Sequence, residues 1–230
     1  PDHPFDVRTI PMTAVAGALL ALTLLIALAD WVAVAVDRRP LEYVLKPATM
    51  VALGAVVLAL DLPGGQLRWW YLAAIILSLA GDVFLMLPES AMDPELSFVA
   101  GLGSFLVAHV LYVVGMVLLG VSGGWLVIGT VAAVLVIVTV GRRVIAGARA
   151  TDRRLFAPVM AYVVVIAVMI ATSFGTGIIV GIVGALLFGF SDSVIGWTRF
   201  LRDFPHSRVV VMVTYHLGQV GLVLALATAG

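Results

Sequence analysis

The sequence predicts an all-α fold: a polytopic membrane helix bundle of about eight transmembrane helices, with residues 1–230 forming a single integral membrane domain. Three observations predict it. The chain is 63% hydrophobic and only 11% charged, against roughly 45–50% and 25% in soluble domains. Its mean hydropathy is +1.18. Its apolar residues also fall into runs long enough to cross about 30 Å of hydrocarbon, which takes roughly 20 helical residues. The short alternating segments of a membrane β-barrel are not present in the sequence.

The runs are approximately Ile10–Val36, Leu41–Leu60, Arg68–Leu87, Leu96–Gly120, Trp125–Val140, Leu155–Ser173, Gly177–Phe200 and Ser207–Thr228. The first follows the mixed segment PDHPFDVRTIP and is too long for the apolar stretch of a signal peptide, so it reads as a spanning helix. The second opens LEYVLKPATM. Its Glu42 and Lys46 are four apart in the order that favours pairing, and Pro47 cannot donate to the carbonyl of Tyr43. In the third, LSLAGDVFLMLP puts Ser78 and Asp82 on one face. Gly81 admits a neighbouring backbone there, and Pro88 ends the run. The fourth, with GLGSFLVAHVLY, aligns Phe105, His109 and Tyr112. The fifth is the shortest. The seventh carries Gly177, Gly181, Ala185, Gly189 and Ser193 at spacing four, a ridge of small residues that permits close helix contact in a membrane. The eighth contains TYHLGQ, with Tyr215 and Gln219 on one face and His216 beside them. Short connections make sequential helices antiparallel neighbours.

Charge in the loops sets the orientation. Arg38, Arg39, Arg142, Arg143, Arg149, Arg153, Arg154, Arg199, Arg202 and Arg208 fall on one side, and Arg8 and Arg68 on the other. The first side is expected to be cytoplasmic, with the Arg142–Arg154 segment as a cytoplasmic loop and both termini extracytoplasmic. Arginine outnumbers lysine twelve to one. This composition suggests a GC-rich bacterial genome and hence a bacterial inner membrane.

A charge at membrane depth costs about 2.5–3.5 kcal/mol on insertion scales, so each one invites a functional reading. Asp192, between the hydroxyls of Ser191 and Ser193, is the clearest case. Asp30, Lys46, Asp82, His109 and His216 join it, all about 8–20 Å below the arginine-rich surface at 1.5 Å per residue. Their common depth predicts one polar cavity opening to the cytoplasmic side. Structural readings stand beside the functional ones. Asp192 could pair with Lys46 or Arg199, Lys46 could snorkel to the interface, and Tyr215, His216 and Gln219 could bridge helices. Neutral net charge gives no sign of a nucleic-acid partner, and the absence of cysteine excludes thiolate chemistry. Two intramembrane histidines on different helices make a thin ligand set, so neither metal nor cofactor is expected. The sequence has no GxSxG nucleophile motif.

Several stretches together resemble one family. They are Lys46-Pro47, Gly81 to Met86, Gly101 to Tyr112, Pro158 with Tyr162, Gly184 to Phe200, and Tyr215 with Gln219. In order and spacing this pattern is similar to the YhhN family, also called the TMEM86 or lysoplasmalogenase family. The resemblance implies eight membrane helices. It also implies hydrolysis of the vinyl ether bond of lysoplasmalogens, giving a fatty aldehyde and a glycerophospho-headgroup, with a lysophospholipid and membrane lipids as partners.

The residues suit that chemistry. A vinyl ether hydrolyses when its β-carbon is protonated and water attacks the resulting oxocarbenium ion. A general acid and an anionic carboxylate would serve, as in glycosidases. Asp82 and Asp192 are the expected catalytic pair. Lys46, Asp30, Ser78, His109, Tyr112, Ser191, Arg199, Tyr215, His216 and Gln219 are the expected supporting or substrate-binding residues. The competing classes are a proton-coupled transporter, for which intramembrane acids are equally typical, and a non-catalytic lipid-binding protein.

Overall fold

A computed structural model describes residues 12–62 and 65–228. The helices are α1 (Ala14–Ala35), α2 (Arg39–Ala59), α3 (Gly65–Met86), α4 (Pro94–Leu119), α5 (Gly123–Val136), α6 (Arg142–Thr151), α7 (Phe156–Gly175), α8 (Ile179–Phe200) and α9 (Ser207–Ala227). A π-helical segment, Ile137–Gly141, joins α5 to α6 without a break. Counted as spans, eight helices are long and apolar enough to cross a membrane. Local chemistry fixes several starts. Thr13 caps α1 by accepting from Ala16 N at 3.0 Å. Asp93 caps α4 by accepting from Glu95 N and Leu96 N, each at 3.0 Å, with Pro94 in the first turn.

The fifth span differs from the expectation. It runs from Gly123 to Thr151 and is the longest of the eight rather than the shortest. The arginine-bearing stretch 142–151, expected as loop, is helical. A drop in hydropathy marks where a helix leaves the hydrocarbon, not where it ends. Here α6 stays helical because Val144 and Ala148 bury on one face while its arginines point out.

Six helices close into a ring in the order α2, α3, α4, α7, α8, α9, with α9 returning to α2. Outside the ring, α1 packs on α2 and α9, and the fifth span packs on α7. Burial follows this plan. In α9, 67% of the most apolar stretch is buried, against 11% in the fifth span, so α9 is framework and the fifth span is periphery.

The most extensive helix contact is α8 on α9. A Cβ on Gly184 would sit 2.6 Å from the Leu222 nitrogen, and one on Gly218 would sit 2.7 Å from the Phe188 nitrogen. Only glycine allows this approach, which sets α8 and α9 in fixed register. The predicted ridge is split. Gly181 faces Ala225 of α9, whereas Gly189 faces Ile166 and Ile170 of α7, and Gly177 lies in the turn before α8 at φ 69°. A row at spacing four drifts around a helix of 3.6 residues per turn, so it cannot stay on one neighbour.

One end of the bundle carries the connections after α1, α3, α6 and α8, with Arg38, Arg39, Arg202 and Arg208. At the other end Arg68 donates to the Leu60 carbonyl at 2.7 Å. Arg8 lies outside the described residues.

Candidate active site

Each helix of the ring sends at least one polar side chain inward. From α2 and α3, Lys46 Nζ and Asp82 Oδ1 meet at 2.8 Å, with Lys46 5% and Asp82 1% exposed. Tyr215 of α9 donates its hydroxyl to Asp82 Oδ2 at 2.6 Å. Across the ring, Tyr162 of α7 donates to Asp192 Oδ2 of α8 at 3.0 Å. His109 of α4 brings Nε2 to 3.1 Å from the same oxygen, at ion-pair distance but without hydrogen-bond alignment. The other ring nitrogen, Nδ1, lies 2.6 Å from the Phe105 carbonyl. A carbonyl only accepts, so Nδ1 carries a proton. Nε2 is the ring nitrogen turned to the Asp192 carboxyl group. Between the two clusters stand Phe105 and Phe188, whose rings pack edge to face 6.2 Å apart.

Both carboxylates line one cavity of about 370 Å³. Lys46, Ser191 and Tyr215 share its wall, and Arg39 and Arg208 stand at its mouth, at the arginine-rich end. Arg208 is held there by Asp37, at 2.8 Å, and by Glu42. The Arg208 guanidinium keeps the exposed Asp37 carboxyl below the usual carboxylate range. A second, apolar slot lies beside the cavity, lined by Phe98, Leu102, Val140, Val144 and Ile166. Phe105 and Asp192 border both.

The other predicted residues are spread more widely. Ser191 lines the cavity, but its hydroxyl is taken by the Val211 carbonyl at 3.2 Å. Tyr112 donates to Gln219 Oε1 deeper in the ring. The hydroxyl of Ser78 and the amide nitrogen of Gln219 are buried without a protein partner. His216 accepts from Trp31 Nε1 at 3.1 Å and stands behind the cavity wall. Asp30 is 0% exposed with neither oxygen partnered.

Two expectations are corrected. Arg199 is exposed and sits over the Phe98 ring at 4.8 Å, away from both aspartates. It lies two turns nearer the surface than Asp192, and an arginine there reaches out to water. Glu42 and Lys46 do not pair with each other, since Glu42 takes Arg208 and Lys46 takes Asp82. Partners from other helices satisfy both, which an isolated helix could not offer.

Tyr162 is a site residue missing from the predicted set. On an otherwise apolar helix a lone tyrosine reads as packing, and only its place after Pro158 in the family pattern marks it. Among the described residues, no three His, Asp or Glu side chains converge as a metal ligand set.

Residues 41–226 match the YhhN family model. The chain belongs to the YhhN family. That match begins with α2, so every helix of the ring lies within it and α1 outside. The chain is 31% identical over 163 residues to lysoplasmalogenase TMEM86B of Mus musculus, covering 71% of this chain and 66% of the mouse protein. It is equally similar to the Rattus norvegicus protein of that name, of which it covers 64%. It thus spans just under two thirds of the length of these two relatives. It is 30% identical over 192 residues to a lysoplasmalogenase of Mycobacterium bovis, covering 81% of this chain and 70% of that protein. No solved structure matches the chain.

Proposed function

We propose that this YhhN protein hydrolyses the vinyl ether bond of lysoplasmalogen-type lysophospholipids, releasing a fatty aldehyde and a glycerophospho-headgroup. The observation that carries this reading is the position of Asp192 at the boundary between a charged cavity and an apolar slot. A single-chain phospholipid laid across that boundary puts its headgroup among Arg39, Arg208 and Lys46 and its chain among the phenylalanines and valines. The bond joining the two parts then lies at Asp192. In a lysoplasmalogen that bond is the vinyl ether. The relatives named lysoplasmalogenase support the same chemistry.

Asp192 acts as the general acid, because it borders the slot and has His109 Nε2 3.1 Å away as a partner for proton exchange. The proton passes to the β-carbon, the double-bond electrons form the new C–H bond, and the ether oxygen shares the positive charge left on the α-carbon. Asp82, whose counter-charge is Lys46, is the anion that faces this cation. Water adds to the α-carbon and returns one proton to the Asp192–His109 pair. The hemiacetal then collapses to aldehyde and alcohol. Tyr162 and Tyr215 fix the orientation of the two carboxyl groups. Following the arginine bias, the mouth opens to the cytoplasm. A site displaced toward one face suits a lipid hydrolase better than a carrier, whose site lies near the midplane.

The test is purified protein incubated with 1-alkenyl, 1-alkyl and 1-acyl lysophospholipids of equal chain length. Aldehyde from the alkenyl lipid alone is expected. Fatty acid from the acyl lipid, or no product from any, would overturn the reading.

A further inference from the structure

The ring wall is thinner between α7 and α8, which pack less extensively than α8 and α9 or α3 and α4. The fifth span closes it from outside, its Val136, Val140 and Val144 reaching the apolar slot. On the lipid side of the same wall runs a shallow apolar groove bordered by Leu186, Phe190 and Trp197 of α8. Slot and groove share three residues: Val136, Val140 and Ser193. One layer of side chains separates the inside of the site from the bilayer.

That layer is thin for structural reasons. The fifth span packs chiefly on α7, and meets α8 only along a short seam at the π segment and through α6. Toward the arginine-rich end the seam is pinned. A Cβ on Gly147 would lie 2.8 Å from the Phe200 carbonyl, and one on Gly196 would lie 2.8 Å from Val144. Deeper in the membrane no such close contact joins α8 to the π segment. π-helical turns are rare and recur at functional sites.

The chemistry of the seam suits a hydrocarbon. Ser193 is its polar residue on α8, and its hydroxyl is already spent on the Gly189 carbonyl at 2.7 Å. The groove from Leu186 to Trp197 spans about 16 Å at 1.5 Å per residue, about half the hydrocarbon thickness, and so stays within one leaflet. Its upper end, at Trp197, is where an indole marks the interface. The slot behind it holds only about 50 Å³ of free space, so a chain enters it by pushing apart the apolar side chains that line it.

We infer that the seam between Ile137–Gly141 and α8 is a lateral portal through which a single long alkenyl chain slides from the bilayer into the slot beside Asp192, and by which the long-chain aldehyde leaves. This rests on the lysolipid hydrolase reading. The headgroup needs no such path, because the cavity opens to water at the arginine-rich end.

The chain has no cysteine of its own, so the seam can be locked. Thr139→Cys of the π segment with Phe190→Cys of α8, both exposed on the lipid side of the seam and neither lining the slot, bridged by a reducible bifunctional thiol reagent, gives one protein in locked and released states. Locking is expected to slow turnover of a long-chain alkenyl lysolipid at least tenfold, with recovery on reduction. A water-soluble vinyl ether with a chain of a few carbons, entering by the polar cavity, is expected to turn over equally in both states. Equal long-chain rates in the two states would overturn the portal. If the unmodified protein hydrolyses neither substrate, the hydrolase reading fails, and the portal is still judged by a lipid that cannot react. Uptake of a long-chain saturated 1-alkyl lysolipid must then be slow when locked and fast when released, and unchanged uptake would overturn it.

Discussion

Asp82 and Asp192 share one cavity, yet their surroundings differ in kind. Asp82 faces an ammonium at 2.8 Å, whose charge does not move when the carboxylate accepts a hydrogen bond from Tyr215. Asp192 faces an imidazole whose other nitrogen is tied to a backbone carbonyl. In the proposed mechanism the first site supplies a fixed charge and the second a mobile proton. Two acids of similar burial would then owe their separate tasks to their partners, not to their depth.

The largest effect is expected from the mobile side. Asp192→Asn removes the proton donor and should lower aldehyde release by 10²–10⁴ or more, the usual contribution of general acid catalysis. Asp82→Asn should cost about as much in kcat, since an amide cannot serve as an anion. The difference lies in the folded state, where it also strands the Lys46 ammonium. Breaking a buried pair at one partner costs about 3–5 kcal/mol, so Asp82→Asn should unfold at clearly lower temperature than Asp192→Asn. Equal melting temperatures would break the comparison. Next comes His109→Gln, which keeps a hydrogen-bonding group but cannot relay a proton. We expect about tenfold to hundredfold lower kcat, within the range for general acid–base groups. An unchanged kcat would leave Asp192 to act without His109. Lys46→Met should reduce turnover less than either aspartate variant, because it leaves both carboxyl groups in place, and should lower the melting temperature by stranding Asp82. The smallest effect is at the mouth. Arg208 holds the exposed Asp37 carboxyl below its ordinary range. The stability it adds is present above the unfolded-state value and is lost as pH falls through the folded-state value. Asp37→Asn should therefore flatten that acid-side loss slightly and leave kcat unchanged.

The eight spans, the two aspartates and Lys46 were legible in the sequence because burying charge or 20 apolar residues leaves few alternatives. What pairs with what was not. Glu42 and Lys46 look like partners along α2, but the ring supplies Arg208 and Asp82 instead. Tyr162 lies on a helix apolar on every side, so its sequence gives no face to the interior. The spacing-four ridge of α8 was visible, yet Gly184, the residue that makes its closest contact with α9, lies off it. Helix rotation in a membrane is set by contacts with neighbours, and hydrophobic periodicity does not report it when both faces are apolar.

The partners of the buried acids also have an order in time. Asp82 leaves the ribosome after Lys46, and Asp192 after both His109 and Tyr162, so each cavity aspartate enters a bilayer where at least one partner has already been threaded. Asp30 has no such precursor. It belongs to α1, the first described helix to be synthesised, and in the finished fold neither of its oxygens finds a protein donor. Its cost, about 2.5–3.5 kcal/mol on insertion scales, falls on α1 alone, a helix that carries no other charged residue between Ala14 and Ala35. The same order puts Glu42 and Lys46 of α2 ahead of their partners Arg208 and Asp82, so entering after a partner is a property of the two cavity aspartates and not of every buried charge.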